Sequence, residues 1–311
     1  MTHLPIRIAL LLCLLASLIA NQAYAREHTG FYQQRLDVQM RFDHRSDRSN
    51  RSQYRLRFYP QLNVNKQWSL HGFVVTGDEF SSSHNTFGND DNDKIALRRL
   101  YLRRTNSLGK TEIGVIPTYK GRVSATGLSK DGWFQGIRHV YEARQGHQLE
   151  FVVGAINDSD PAKALSLASD INLFELEYSA RLNQHYSMEF GAERLIDGNY
   201  LRSELRYDQH TNSVWFAEYV RRIDEPENKL VLGLDKELML SDYPLSVYAY
   251  YAYVSTDFGA RAELTEDYLG TGHGASVEIS GALSVASLDW FSRLDMVDST
   301  RRILIGVKRS F

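Results

Sequence analysis

The chain has 311 residues, a formal net charge of −2, 12% aromatic residues and a single cysteine. That near balance of charge excludes the basic footprint of a nucleic-acid-binding protein. No stretch after residue 25 reaches the roughly 18 apolar residues of a membrane-spanning helix, which excludes a helical inner-membrane protein and leaves membrane strands untouched.

Residues 1–25 have the layout of a secretory signal peptide: Arg7 supplies the positive charge, Ile8 to Ala20 is apolar, and Ala23-Tyr24-Ala25 is a small-x-small cleavage site. Cys13 lies within it, in a poor lipoprotein context, so a mature domain of residues 26–311 would carry no cysteine. Its export is expected to be of the Sec type. Nothing in that domain marks a second unit: it has no low-complexity segment, Pro/Ser linker or composition shift.

From there the chain alternates with a period of two, the signature of strands that present opposite faces to different surroundings. In the first run Leu36, Val38, Met40 and Phe42 point one way and Arg35, Asp37, Gln39, Arg41 and Asp43 the other. The second sets Tyr54, Leu56, Phe58, Pro60 and Leu62 against Arg55, Arg57, Tyr59, Gln61 and Asn63. Further runs are Trp68 to Thr76, Ile95 to Arg104, Glu112 to Pro117, Gly136 to Ala143, Leu149 to Ile156, Ile171 to Ala180 and Tyr186 to Arg194. Tyr200 to Tyr207, Val214 to Arg222, Leu230 to Lys236, Leu245 to Val254, His273 to Ser280, Val285 to Leu294 and Arg301 to Phe311 complete sixteen. Many approach about ten residues, enough to cross a bilayer when tilted, whereas soluble strands cluster near five or six. The run from Ile95 is irregular, because Leu100 and Leu102 share their face with Arg98 and Arg104.

Ile303, Ile305, Val307, Arg309 and Phe311 give the last run one apolar face ending in an aromatic. It resembles the closing strand of Gram-negative outer-membrane β-barrels. In those proteins this segment is the membrane-insertion signal read by the barrel-insertion machinery, which assigns that role to Phe311. The resemblance implies an all-β, 16-stranded antiparallel transmembrane β-barrel over residues 26–311 (roughly twelve to eighteen strands fit such a barrel). It also implies contact with outer-membrane lipid and lipopolysaccharide. Connection lengths agree: links such as Asn65-Lys66-Gln67 and Gly281-Ala282-Leu283 are short, as periplasmic turns are, and those such as Gly77 to Lys94, Asn157 to Ser169 and Ser255 to Gly272 are long. Trp68, Tyr178, Tyr186, Tyr207 and Phe311 fall on the lipid-facing parity beside short links, where an interfacial girdle would lie.

Thr118 to Gln135 is the third external loop. The order of elements resembles that of general porins, in which this loop folds inward and narrows the pore. By position, Lys120, Arg122, Lys130 and Asp131 become constriction candidates. On the inward parity, Arg35, Arg41, Arg55, Arg57, Arg99 and Arg103 form a basic wall, interrupted by Asp37 and Asp43. An acidic wall comprises Glu112, Glu150, Glu175, Glu177, Glu189, Glu193, Glu204 and Glu218, with Asp208 beside Arg202 and Arg206. Facing arrays of opposite charge favour hydrated, dipolar solutes.

The expected activity is therefore passive diffusion of small hydrophilic solutes, the alternative being a channel selective for anions such as acidic oligosaccharides or phosphate. Porins of this kind often form trimers, but no residue pattern marks a subunit interface. No cofactor or metal is expected. Asn89-Asp90-Asp91-Asn92-Asp93 lacks the spacing of a calcium loop. The histidines are scattered, and His84 after three serines is the nearest approach to a catalytic pairing. No enzymatic activity is expected.

Overall fold

The computed structural model describes residues 30–77, 79–88, 94–118, 127–156, 164–165, 168, 170–209, 212–265, 268–283 and 288–311. Residues 1–25, Asn89 to Asp93, Lys120 and Arg122 lie outside them.

Seventeen strands form one antiparallel sheet. They are β1 (Tyr32–Arg45), β2 (Arg51–Asn63), β3 (Trp68–Thr76), β4 (Asn85–Thr86), β5 (Ile95–Asn106), β6 (Gly109–Pro117), β7 (Trp133–Arg144), β8 (His147–Ala155) and β9 (Leu173–Arg181). Then come β10 (Tyr186–Leu195), β11 (Gly198–Asp208), β12 (Ser213–Arg222), β13 (Asn228–Leu240), β14 (Tyr243–Val254), β15 (Gly272–Leu283), β16 (Leu288–Val297) and β17 (Thr300–Ser310); one helical turn, α1 (Ala260–Glu263), precedes β15. Sixteen strands are long. The two-residue β4 continues the course of β3 beside β2, pairing Asn85 with Tyr54 and Thr86 with Gln53.

The sheet closes on itself. β17 pairs with β1 from Asp37 opposite Ser310 to Arg45 opposite Arg302, and Phe311 exchanges backbone hydrogen bonds with Leu36 in both directions, at 2.9 and 3.2 Å. Among the described residues, closure leaves no free strand edge, which a lipid environment requires.

Apart from a bulge on β5, the expected parity holds at the residues that follow. Met40, Leu102, Ile137, Leu176, Phe190, Leu232 and Ile305 are all exposed on the outer surface, while Asp43, Glu112, Glu218 and Asp295 are buried within. An apolar exterior around a charged interior inverts the pattern of a water-soluble domain, and a continuous apolar belt of this kind has to meet lipid. Leu232, 49% exposed on the outer face of β13, gives a direct check. Leu232→Arg should cost about 2–4 kcal/mol in reversible urea unfolding from lipid vesicles. A change within error would place β13 away from lipid.

Aromatics mark the short-turn end. Tyr186 and Tyr207 lie ring to ring at 5.0 Å, Tyr207 pairs with Trp215 across β11 and β12, and the Arg309 guanidinium sits 4.5 Å over the Phe311 ring. Pro60 is accommodated inside β2 because the residue facing it is Gly72; a Cβ there would meet the proline Cγ at 2.9 Å.

Three details depart from the sequence reading. The penultimate run is expected over Val285 to Leu294; Val285 to Ser287 lie outside the described residues. β16 carries the strand three residues past Leu294 to Val297, with Met296 and Val297 still paired to Arg301 and Thr300 and Asp295 bound by Arg302 at 2.7 Å. The third external loop ends earlier than Gln135, at Gly132, since β7 begins at Trp133. Arg98 does not share the outer face with Leu100. Across the β3–β5 pair the register shifts between Phe73 and Val74, opposite Arg99 and Leu97, and the resulting bulge turns Arg98 inward. It is fully buried, 5.1 Å over the Trp133 ring.

Candidate pore and constriction

The described part of the third external loop, residues 127–132, lies inside the barrel. Its turn is built locally: the Gly132 N–H bonds the Ser129 carbonyl at 3.0 Å, the Thr118 hydroxyl donates to the same carbonyl at 2.6 Å, and the Ser129 Oγ accepts from the Asp131 N–H at 3.1 Å. Gly132 is required for close approach, because a Cβ would come within 2.5 Å of the Phe80 ring and 2.7 Å of the Thr118 hydroxyl.

This turn aims Asp131 at the arginines of β2. Arg57 reaches its carboxylate at 2.5 Å and Arg55 at 3.7 Å. Ser83, from the segment between β3 and β4, donates to it at 2.5 Å. Burial alone would raise the Asp131 pKa, but the Arg57 and Arg55 guanidiniums overrule it and hold the carboxyl far below the usual carboxylate range. Arg99 on β5 grips the loop backbone, donating to the Gly132 carbonyl at 2.9 Å and to the Lys130 carbonyl.

The remaining inward residues of the basic wall are also engaged. Arg35 stacks over Tyr59 at 4.1 Å and pairs with Asp37 at 3.3 Å. Arg41 donates to Gln53 at 2.9 Å. Arg103 pairs with Glu112 at 2.7 Å. Glu112 is fully buried and also meets Arg138 at 2.9 Å and Lys110 at 3.7 Å.

On the acidic side, Glu150 pairs with Arg138 at 3.1 Å. Arg202 serves Glu177, Glu189 and, at 3.8 Å, Glu204, which also binds Arg206. Glu193 pairs with Arg261, and Glu218 is buried on the inner face of β12. Glu150, Glu175, Glu177, Glu189, Glu193, Glu204, Arg202 and Arg261 border a cavity of about 370 Å³ inside the barrel. The cavity extends from Thr118, Gly127 and Leu128 to Gly146 and Arg181 at the short-turn end.

Arginines are concentrated on β1, β2 and β5 and glutamates on β8–β12, but each stretch also holds opposite charges, such as Asp37 beside Arg35 and Arg202 and Arg206 among the glutamates. The inner face is thus a hydrogen-bonded network rather than two bare walls. From sequence, Arg55, Arg57 and Arg99 belong to the basic wall and Asp131 to the constriction loop, as separate linings; in the structure they bind one another or the loop backbone. The sequence reading also missed Arg138, Arg98 and Arg261. Arg138 stands on the inward parity of β7 and was open to the same count.

A further miss is an apolar band inside the barrel at the long-loop end, where Ile116, Phe134, Leu173, Leu195, Tyr200 and Val220 face inward. Its signal was readable: alternation gives way to paired apolar residues at Val115-Ile116 and Leu195-Ile196.

No family model matches the sequence, and no curated protein matches it. Solved structures do. A triple mutant of the Rhodopseudomonas blastica porin aligns with 90% of this chain and 100% of its own, with a TM-score of 0.63 at 9% identity. The fold is that of the porins. Another variant of the same porin gives 0.61 at 11% identity with the same coverage. The low-pH structure of Pseudomonas putida OprB gives 0.58 at 12% identity, over 90% of this chain and 93% of that one. At these identities the likeness concerns the porin fold and carries no substrate with it.

Proposed function

We propose that this chain is an outer-membrane channel through which small hydrophilic solutes diffuse passively, narrowed by the third external loop. The observation that carries the proposal is the combination of a closed sheet, an apolar exterior and an interior lined by ionised side chains around a cavity. A barrel of sixteen long strands is wide enough for an aqueous lumen that side chains alone do not fill.

Under this reading the protein resides in the Gram-negative outer membrane, with the short turns periplasmic and the long loops external. Lipid and lipopolysaccharide surround the belt, and the insertion machinery is its assembly partner. A homotrimer would follow general-porin practice. The pore-lining roles fall to the arginines on β1, β2 and β5 and to the glutamates on β6 and β8–β12; Lys130 and Asp131 stand at the narrowing. The chain acts as a channel rather than a catalyst. Selectivity for anions has the weaker support, because Arg55, Arg57, Arg99 and Arg103 are engaged by carboxylates or loop carbonyls.

Liposome swelling tests the reading. Vesicles containing the purified protein should swell in small uncharged sugars, more slowly as sugar size rises. Equal rates with and without protein would refute it.

A further inference from the structure

Residues 257–265, in the loop between β14 and β15, also turn inward. Gly259, at φ +79°, introduces α1. Three strands hold this segment. Glu193 on β10 pairs with Arg261, the Tyr200 hydroxyl on β11 donates to the Phe258 carbonyl at 3.0 Å, and Arg222 on β12 donates to the Asp257 carbonyl at 3.0 Å. Phe258 and Ala262 are buried in the apolar band, with Leu264 and Leu128 packed against it.

Loop three approaches from the opposite wall, anchored to β2 and β5 through Asp131 and the Gly132 carbonyl. The two loops meet. The Ser129 N–H bonds the Leu264 carbonyl at 3.0 Å, and Leu128 and Thr265 form an antiparallel bridge.

We infer that these two loops make a single strap across the barrel, and that the β14–β15 loop limits the size of permeating solutes as loop three does. This rests on the channel reading above. A loop tethered at one wall can swing; one whose tip is hydrogen-bonded to a second loop, itself held by a buried ion pair and an apolar core, cannot move without its partner. The strap also borders the carboxylate-lined cavity, whose edge includes Leu128 and Arg261 as well as Gly146 and Arg181 at the short-turn end. Solutes entering from the long-loop end must therefore pass beside the strap, and its position depends on Arg261 as much as on Asp131.

Two measurements test this. First, Leu128→Cys with Thr265→Cys should form a disulfide under mild oxidation, since bridge partners lie within disulfide reach; Cys13 lies in the segment expected to be cleaved. Failure to cross-link in the folded barrel would overturn the strap. Second, Arg261→Ala should raise the largest sugar size admitted in liposome swelling, although Asp131 and its arginines are untouched. A size limit unmoved by Arg261→Ala, in vesicles that do admit small sugars, would overturn the strap and leave the channel reading standing. Vesicles that admit no sugar with any variant would overturn both.

Discussion

Asp131→Ala should free the third external loop from its wall and raise single-channel conductance while leaving the barrel folded. The substitution leaves the Arg55 and Arg57 guanidiniums facing a site that has lost its carboxylate, and the Ser83 hydroxyl without its acceptor. Breaking a buried, hydrogen-bonded ion pair from one side typically costs about 3–5 kcal/mol. Here the cost falls on loop docking, because none of the strand ladders passes through residue 131. Urea midpoints of barrel unfolding should therefore shift little, while protease cleavage within residues 118–132 becomes faster. Asp131→Asn retains an acceptor for Ser83 and should fall between. Unchanged conductance and protection in Asp131→Ala would remove the carboxylate as the anchor.

The anchor's pH dependence follows from the depressed Asp131 pKa. A carboxylate held below its unfolded value of 3.8 contributes its full stabilisation above that value and loses it only as pH falls through the still lower folded value. Loop three should therefore stay protected from protease from neutral pH down to about pH 5. Release within that interval would assign the anchor to another group.

Glu112→Ala should be the most damaging single change in the wall itself. Glu112 is fully buried on β6 and serves Arg103, Arg138 and Lys110. Its loss leaves three cations converging without their common counter-charge, although Arg138 keeps Glu150. A cost of about 3–5 kcal/mol is expected in reversible unfolding from vesicles, with Glu112→Gln recovering part of it through its remaining acceptor. In contrast to Asp131→Ala, this loss belongs to the strands, so the urea midpoint itself should fall. An unshifted midpoint would mean that water already solvates the cluster.

The two variants separate what the sequence disclosed from what it did not. Strand positions and facing were legible because side chains alternate strictly across a strand, so Arg57 inward fixes Phe58 outward. The antiparallel ring followed from that parity, the short links and the resemblance of the terminal strand. Arg98 escaped because a bulge inserts one residue and reverses the parity on one side of it, and neither glycine nor proline stands there to announce it.

The site was half legible. The arginines of β2 and β5 and the carboxylate of loop three were all named, but as separate linings of an open pore. Their mutual bonding depends on how a fifteen-residue connection folds back, and a loop has no periodicity to read. The same holds for Arg261, whose partnership with Glu193 spans a connection with no alternating pattern. The inner apolar band was visible as doubled apolar pairs at the strand ends. It makes sense only once two loops are known to need something to pack against.

The central claim is that a closed barrel carries solutes through an interior narrowed by loop three. It is tested most directly by single-channel recording in a planar lipid bilayer with purified, folded protein. Discrete, stable conductance steps are expected, with larger steps for Asp131→Ala. A bilayer that stays electrically silent after verified insertion of both proteins would contradict the account.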